Sequence, residues 1–218
     1  MSEYLLELSG ISKSFPGVKA LDNVNFQLKR GEIHAIMGEN GACKSTFIKV
    51  IMGVHRADEG TMTLDGKRVE FKTPLDAQKA GIAAIYQHVT SYPDLSVTEN
   101  IFMGHEQEKK GFLQWKQMNK AADVLLKQLN AEFPATALMS SLSVAQQQMV
   151  EIAKALSMNA RIIIMDEPTA ALTKSESEEL YRIAEKLRDD GKSIIFISHR
   201  LEDMYRLASR VTAFRVLH

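Results

Sequence analysis

Gly38-Glu39-Asn40-Gly41-Ala42-Cys43-Lys44-Ser45-Thr46 meets the pattern G-x-x-x-x-G-K-[ST] at every position except Cys43, where the second glycine belongs. The apolar run from Ile33 to Met37 before it reads as a buried strand, and Phe47 to Met52 after it as a helix closed by Gly53. The stretch therefore sits at a strand-to-helix turn, where backbone N–H groups and the positive helix end hold a triphosphate. Lys44 reaches the β- and γ-phosphates in such a loop, and the Ser45 hydroxyl is placed to ligate magnesium. Cys43 is the flaw. A side chain there offends either a left-handed backbone angle, at about 1–2 kcal/mol, or the close approach of phosphate. The first case weakens binding about fivefold to thirtyfold, and the second abolishes it.

With 218 residues, 45% hydrophobic and 25% charged, the chain can bury a large core as one big domain or two small lobes. Its net charge of +0 argues against a general nucleic-acid binder. Cys43 is its one cysteine, which excludes an intramolecular disulfide and suits a reducing compartment. Met1 to Tyr4 has no signal-peptide pattern, and no apolar run approaches the roughly 20 residues of a membrane-spanning helix.

Outward from the loop, Tyr4 to Ser12 and Val18 to Leu28 alternate as strands about Phe15-Pro16-Gly17. Phe15 reads either as an aromatic that stacks on adenine or as a turn residue packed on the core. Gly60 to Val69 is a hairpin turning at Asp65-Gly66, and Thr73-Pro74 opens a short helix that Gly81 ends. Ile82 to Tyr86 is a short strand with Gln87 at its end. From His88 to Leu156 the pattern turns helical, as in a separate inserted lobe. Ser96 or Thr98 caps a helix to Met103, Asn119 one to Leu129, and Ser143 one to Leu156. Arg161 to Met165 is a buried strand ending in Asp166-Glu167-Pro168, an acidic pair where open α/β sheets bind ligands. The Ser175–Asp190 helix, the Lys192–Ile197 strand ending in Ser198-His199, the Leu201–Leu207 helix and the Arg210–Phe214 strand complete the order.

Together these pieces resemble the nucleotide-binding domain of ATP-binding cassette (ABC) transporters over nearly the whole chain. Gly38 to Thr46 (Gly38, Glu39, Asn40, Gly41, Ala42, Cys43, Lys44, Ser45, Thr46) looks like Walker A, and Gln87 like the Q-loop glutamine. Leu142-Ser143-Val144-Ala145-Gln146 looks like the signature motif, with Val144 and Ala145 where two glycines are usual. Ile162 to Asp166 with Glu167 looks like Walker B and its catalytic glutamate, and His199 like the switch histidine. The wording around Phe15, the helix from Gln147 to Leu156 and Ile197-Ser198-His199-Arg200-Leu201 is most similar to bacterial monosaccharide importers of the ribose and galactose type.

That resemblance implies an α/β fold: a P-loop NTPase (RecA-like) core from 1–87 and 157–218 with an antiparallel β subdomain, and an α-helical subdomain inserted at 88–156. It implies ATP and magnesium as cofactors, with Ser45, Gln87 and Asp166 toward the metal, Glu167 polarising the attacking water, and His199 on the γ-phosphate. Ser143 and Gln146 would serve the ATP of a second, head-to-tail nucleotide-binding domain. Further implied partners are membrane permease subunits, contacted through Gln87, Tyr92, Pro93, Leu95 and Phe102, and indirectly a periplasmic sugar-binding protein; nucleic acid is not among them. The expected place is the cytoplasmic face of the bacterial inner membrane, and the expected piece a first cassette shortened at its C-terminus. Two other readings stay open: a soluble ABC ATPase acting on ribosomes or DNA, and a cassette that binds nucleotide with little hydrolysis because of Cys43.

Overall fold

Tyr4–Phe15 (β1) and Val18–Lys29 (β2) pair antiparallel about the Pro16-Gly17 turn. The computed structural model describes residues 3–38, 42–87 and 91–214. Ile33–Gly38 (β3) leads to helix Ala42–Ile51 (α1), and then Glu59–Leu64 (β4) and Lys67–Val69 (β5) form a hairpin. Asp65 and Gly66 at its tip have φ of 54° and 72°, the pair of positive angles that a two-residue hairpin turn matching strand twist requires. Thr73 caps Pro74–Lys79 (α2) in a reciprocal box with Asp76, and Ile82–Ile85 (β6) follows.

Ser96, not Thr98, caps Val97–Phe102 (α3), through a box with Glu99. A small hairpin of Glu108–Lys109 (β7) and Phe112–Leu113 (β8), which the sequence reading does not anticipate, precedes Trp115–Gln128 (α4). Asn119 therefore lies inside α4, whose start at Trp115 has no side-chain cap. Burial of Met118, Ala122 and Leu126, four apart on one face, sets that helix, and packing outweighs capping preference. A 3-10 turn at Met139–Ser141 leads into Val144–Ser157 (α5), capped by Ser143. Ile162–Asp166 (β9), Lys174–Asp189 (α6), Ser193–Ser198 (β10), Leu201–Leu207 (α7) and Arg210–Phe214 (β11) finish the described chain.

The strands form a four-stranded antiparallel sheet, β2-β1-β4-β5, and a five-stranded parallel sheet, β11-β3-β10-β9-β6. Strands β9 and β10 are nearly unbroken apolar runs because both faces of the parallel sheet are covered. Alternation then divides their side chains between two cores. Ile163, Met165, Ile194 and Phe196 join the cluster with α3, α4, α5 and α6, while Ile162, Ile164, Ile195 and Ile197 join the one with α1 and the antiparallel sheet. The helical segment thus shares a core with one sheet face. This topology brings the ends of β3, β6, β9 and β10 to one carboxyl edge, the edge at which open α/β sheets bind ligands.

At the opposite end, buried Glu32 accepts from the Lys29 amide at 2.6 Å and from Arg210 at 2.6 and 3.0 Å, with His34 Nδ1 at 3.5 Å. Burial alone would raise this carboxyl, but the bonds from His34, Arg210 and Lys29 outweigh it and hold the pKa at about 2, below the ordinary 4.5. A depressed carboxyl pKa stabilises the fold above the unfolded value and loses that contribution as pH falls through the folded one. Melting temperature should therefore fall between pH 4.5 and about 2, and Glu32→Gln should flatten this part of the profile while lowering stability at pH 7. An unchanged acid limb in the variant would show that other carboxylates carry it.

Candidate functional site

Strand β3 delivers Gly38 to the edge, and the first turn of α1 carries Cys43, Lys44 and Ser45. A helix does not use its first four N–H groups internally, so the positive end of α1 is turned to this edge. Lys44 is only 5% exposed; its Nζ donates to the Gly38 carbonyl at 2.5 Å and lies 3.5 Å from Glu167 Oε1. Gly38 admits this packing because an added Cβ would meet the Phe214 carbonyl at 3.1 Å. Glu167, at the end of β9, is buried, and its Oε2 accepts from His199 Nδ1 at 2.8 Å from the end of β10. Its Oε1 is buried and has no hydrogen-bond partner among the described residues. The Glu167 backbone stands at φ 50°, a left-handed angle that costs a side-chain-bearing residue about 1–2 kcal/mol, and its N–H is held by the Ile197 carbonyl at 2.9 Å. Strain of this kind gathers at functional sites.

Asp166 completes the acidic pair. Burial first, and the neighbouring Glu167 charge second, raise its carboxyl above the usual range, and Lys44 pulls it back only in part. A half-buried carboxylate beside a second, buried one calls for a further cation. Tyr86, at the end of β6, is raised in turn by burial and by Asp166. Ser45 is exposed beside Lys44, Thr46 is buried, and Gln87 is exposed beyond β6. Among the described residues no group of three or more His, Cys, Asp or Glu is arranged to hold a metal alone. Magnesium at such an edge takes one or two carboxylates plus phosphate oxygens, and these residues fit that requirement.

Ser143 and Gln146 spend their side chains on each other: Ser143 Oγ accepts from the Gln146 amide at 3.3 Å, and Gln146 Oε1 accepts from the Ser143 amide at 2.9 Å. No hydrogen bond joins them to Glu167 or His199 among the described residues. Phe15 is half-buried, edge-on to His55 at 5.2 Å with Lys13 over its ring at 5.7 Å. The expectations for Glu39, Asn40 and Gly41 lie outside the described residues, as does the side chain of Ala42.

Comparison with known proteins bears on this edge. The sequence pattern of the family described as ABC transporter matches residues 21–170. The chain belongs to the ABC transporter family. A putative ribose/galactose/methyl galactoside import ATP-binding protein of Burkholderia ambifaria is 49% identical over 97% of this ABC-family chain, which covers 41% of that protein. A xylose import ATP-binding protein of Thermoanaerobacter pseudethanolicus is 48% identical over 99% of the chain and 43% of its own length. The chain thus spans about two fifths of the curated relatives it matches. Among solved structures, MJ1267, an ATP-binding cassette of an ABC transporter, superposes with a TM-score of 0.88 at 28% identity, covering 98% of this chain and 88% of that one. MJ0796, a dimeric cassette bound to ADP and Pi, gives 0.81 at 28% identity, covering 96% and 94%. The fold is that of the P-loop ABC cassettes.

Within this ABC-family chain Cys43 needs a correction. It lies in the first turn of α1 and is not among the residues at positive φ, so the expected left-handed penalty does not arise. Its half-buried side chain packs on the core that contains α1 and lines a crevice of about 300 Å³ with Leu21, Val24 and Phe214. The sequence reading starts the helix at Phe47, five residues late, because glycine-rich wording hides a helical first turn. Cys43→Gly should therefore change ATP affinity by less than about threefold and cost up to about 1 kcal/mol of stability, glycine being the weaker helix former. Calorimetric titration and thermal melts of both proteins check this, and a tenfold gain in affinity would restore the original concern.

Proposed function

We propose that this chain binds and hydrolyses ATP with magnesium and that its turnover drives a monosaccharide through a membrane permease. The observation that carries the proposal is the Glu167 carboxylate, held 2.8 Å from His199 and 3.5 Å from Lys44, with an oxygen that has no hydrogen-bond partner among the described residues. Lys44 leaves the Gly38 carbonyl for the β- and γ-phosphates, and the first-turn N–H groups of α1 hold their oxygens. Glu167 Oε1 accepts a hydrogen bond from the attacking water, and His199 orients the carboxylate and meets the γ-phosphate as charge shifts. Ser45, Asp166 and Gln87 are the residues that would hold magnesium, which neutralises developing charge on the phosphate oxygens. The relatives named for ribose, galactose and xylose import support the sugar class.

A second cassette, as in the dimeric MJ0796 structure, would bring its α5 N-terminus to this site. In this reading 1–87 and 157–218 are the core and 88–156 the subdomain that meets the permease at the cytoplasmic face of the inner membrane, where a periplasmic binding protein acts only indirectly. Among the described residues no helix is long and apolar enough to cross a membrane. Phosphate release by the purified chain, with and without magnesium, tests the ATPase reading. Absence of release at saturating ATP from chain reconstituted with its permease would overturn it.

The permease contact requires one revision. Phe102 is 4% exposed and belongs to the core cluster of α3, α4 and α5, so it cannot dock a partner. Tyr92, in contrast, is 54% exposed on a loop that buried Asn100 pins through the Tyr92 amide at 2.8 Å and carbonyl at 3.1 Å. Tyr92→Asp should keep the melting temperature and lose co-purification with the permease. Phe102→Asp should fail to fold, because burying an unpaired charge costs several kcal/mol. Folding of the second variant with loss of docking would reinstate Phe102 as a contact.

A further inference from the structure

Behind Glu167 and His199 lies a carboxylate that the proposed mechanism does not use. Asp203, on α7, is 0% exposed. Its Oδ2 accepts from Thr169 Oγ1 at 2.7 Å and from Ser198 Oγ at 2.5 Å, and its Oδ1 accepts from the Tyr181 hydroxyl. Arg200 Nε stands 4.0 Å from Oδ1. A fully buried carboxylate is costly unless donors meet its oxygens, and three O–H groups and a guanidinium do so here. Burial first, and then Asp203, push the Tyr181 phenol well above its usual range, so this donor keeps its proton.

The donors are informative by their position. Thr169 lies two residues beyond Glu167, and Ser198 immediately precedes His199. One carboxylate oxygen therefore ties together the two loops whose functional side chains meet at 2.8 Å. Arg200 doubles the tie: its amide donates to Ser198 Oγ at 3.1 Å and its Nη1 to the Thr169 carbonyl at 3.3 Å. Glu167 needs such support. A residue held at a left-handed angle persists only where its surroundings over-determine it, and among the described residues the buried Glu167 Oε1 has no hydrogen bond of its own to hold it.

We propose that Asp203 is a positioning residue for ATP hydrolysis, the shared acceptor through which Thr169 and Ser198 set the distance between Glu167 and His199. The proposal rests on the reading of Glu167 as the group that polarises water. Misplacing such a pair by a fraction of an ångström costs rate without costing nucleotide affinity, because Lys44 and the α1 N-terminus stand outside the tie.

Asp203→Asn keeps the shape but turns one acceptor into a donor facing hydroxyl donors. Its kcat should fall about 10- to 100-fold while nucleotide Kd stays within about twofold. Thr169→Val and Ser198→Ala each remove one leg of the tie and should lower kcat in the same direction, which keeps the proposal falsifiable if Asp203→Asn folds poorly. Leu64→Ala, in the antiparallel sheet, supplies a destabilised control whose kcat per folded molecule should hold. Diethyl pyrocarbonate labelling of His199, read by peptide mass mapping without nucleotide, should speed up in the three tie variants as the ring leaves Glu167. That arm needs no hydrolysis and so reads the tie independently of the ATPase assignment. Unchanged kcat and labelling in Asp203→Asn, or a loss of rate matched by Leu64→Ala at equal loss of folded protein, would overturn the proposal.

Discussion

Glu167→Gln should bind ATP within about twofold of the parent and turn it over at least about 100-fold more slowly, the low end of what a positioned general base contributes. The amide is isosteric and can keep a hydrogen bond to His199, but it removes the charge that draws a proton from the attacking water. Nucleotide affinity rests on other groups, Lys44 and the first-turn N–H donors of α1. Removing the carboxylate 3.5 Å from buried Lys44 should also cost some stability, as losing either member of a buried ion pair does. Equilibrium dialysis of ATP alongside phosphate release separates the two effects. A parallel loss of binding and turnover would remove Glu167 from the role assigned to it.

Lys44→Ala, in contrast, should lose binding. Charge-assisted hydrogen bonds are worth about 1.5–3 kcal/mol each, so a side chain that serves two phosphates supplies about 3–6 kcal/mol. Affinity should accordingly fall by about 100-fold or more. The substitution also takes from buried Glu167 the cation 3.5 Å from its Oε1, so some stability should go with it. Titration with a fluorescent ATP analogue, checked by a thermal melt, reads both. Affinity within tenfold of the parent would mean that the backbone cradle alone holds the phosphates.

Wherever a local rule and the tertiary packing agreed, the sequence was enough. The apolar runs of β3, β9 and β10, the Asp65-Gly66 turn and the N-caps at Thr73 and Ser143 are short-range signals, set by backbone angles and by donors a few residues apart. The order of Lys44, Gln87, Glu167 and His199 along the chain was legible for the same reason, since each closes or opens an element with a recognisable end. Where distant packing set the outcome, it was not. The start of α4 follows from burial of Met118 rather than from the cap that Asn119 offers, and Phe102 turns inward because α3 packs on α4 and α5. Cys43 looks offensive as a letter in a glycine pattern, yet the α1 backbone is helical there and its side chain finds a crevice formed with β2 and β11. Asp203 carried no signal at all: three of its partners, Thr169, Tyr181 and Ser198, lie 34, 22 and 5 residues away. Sequence alone determined which residues stand at the carboxyl edge of the parallel sheet, because strand ends are local. Only the tertiary structure decided which of them touch, because a carboxylate finds donors through space, across loops whose meeting depends on the packing of the whole sheet.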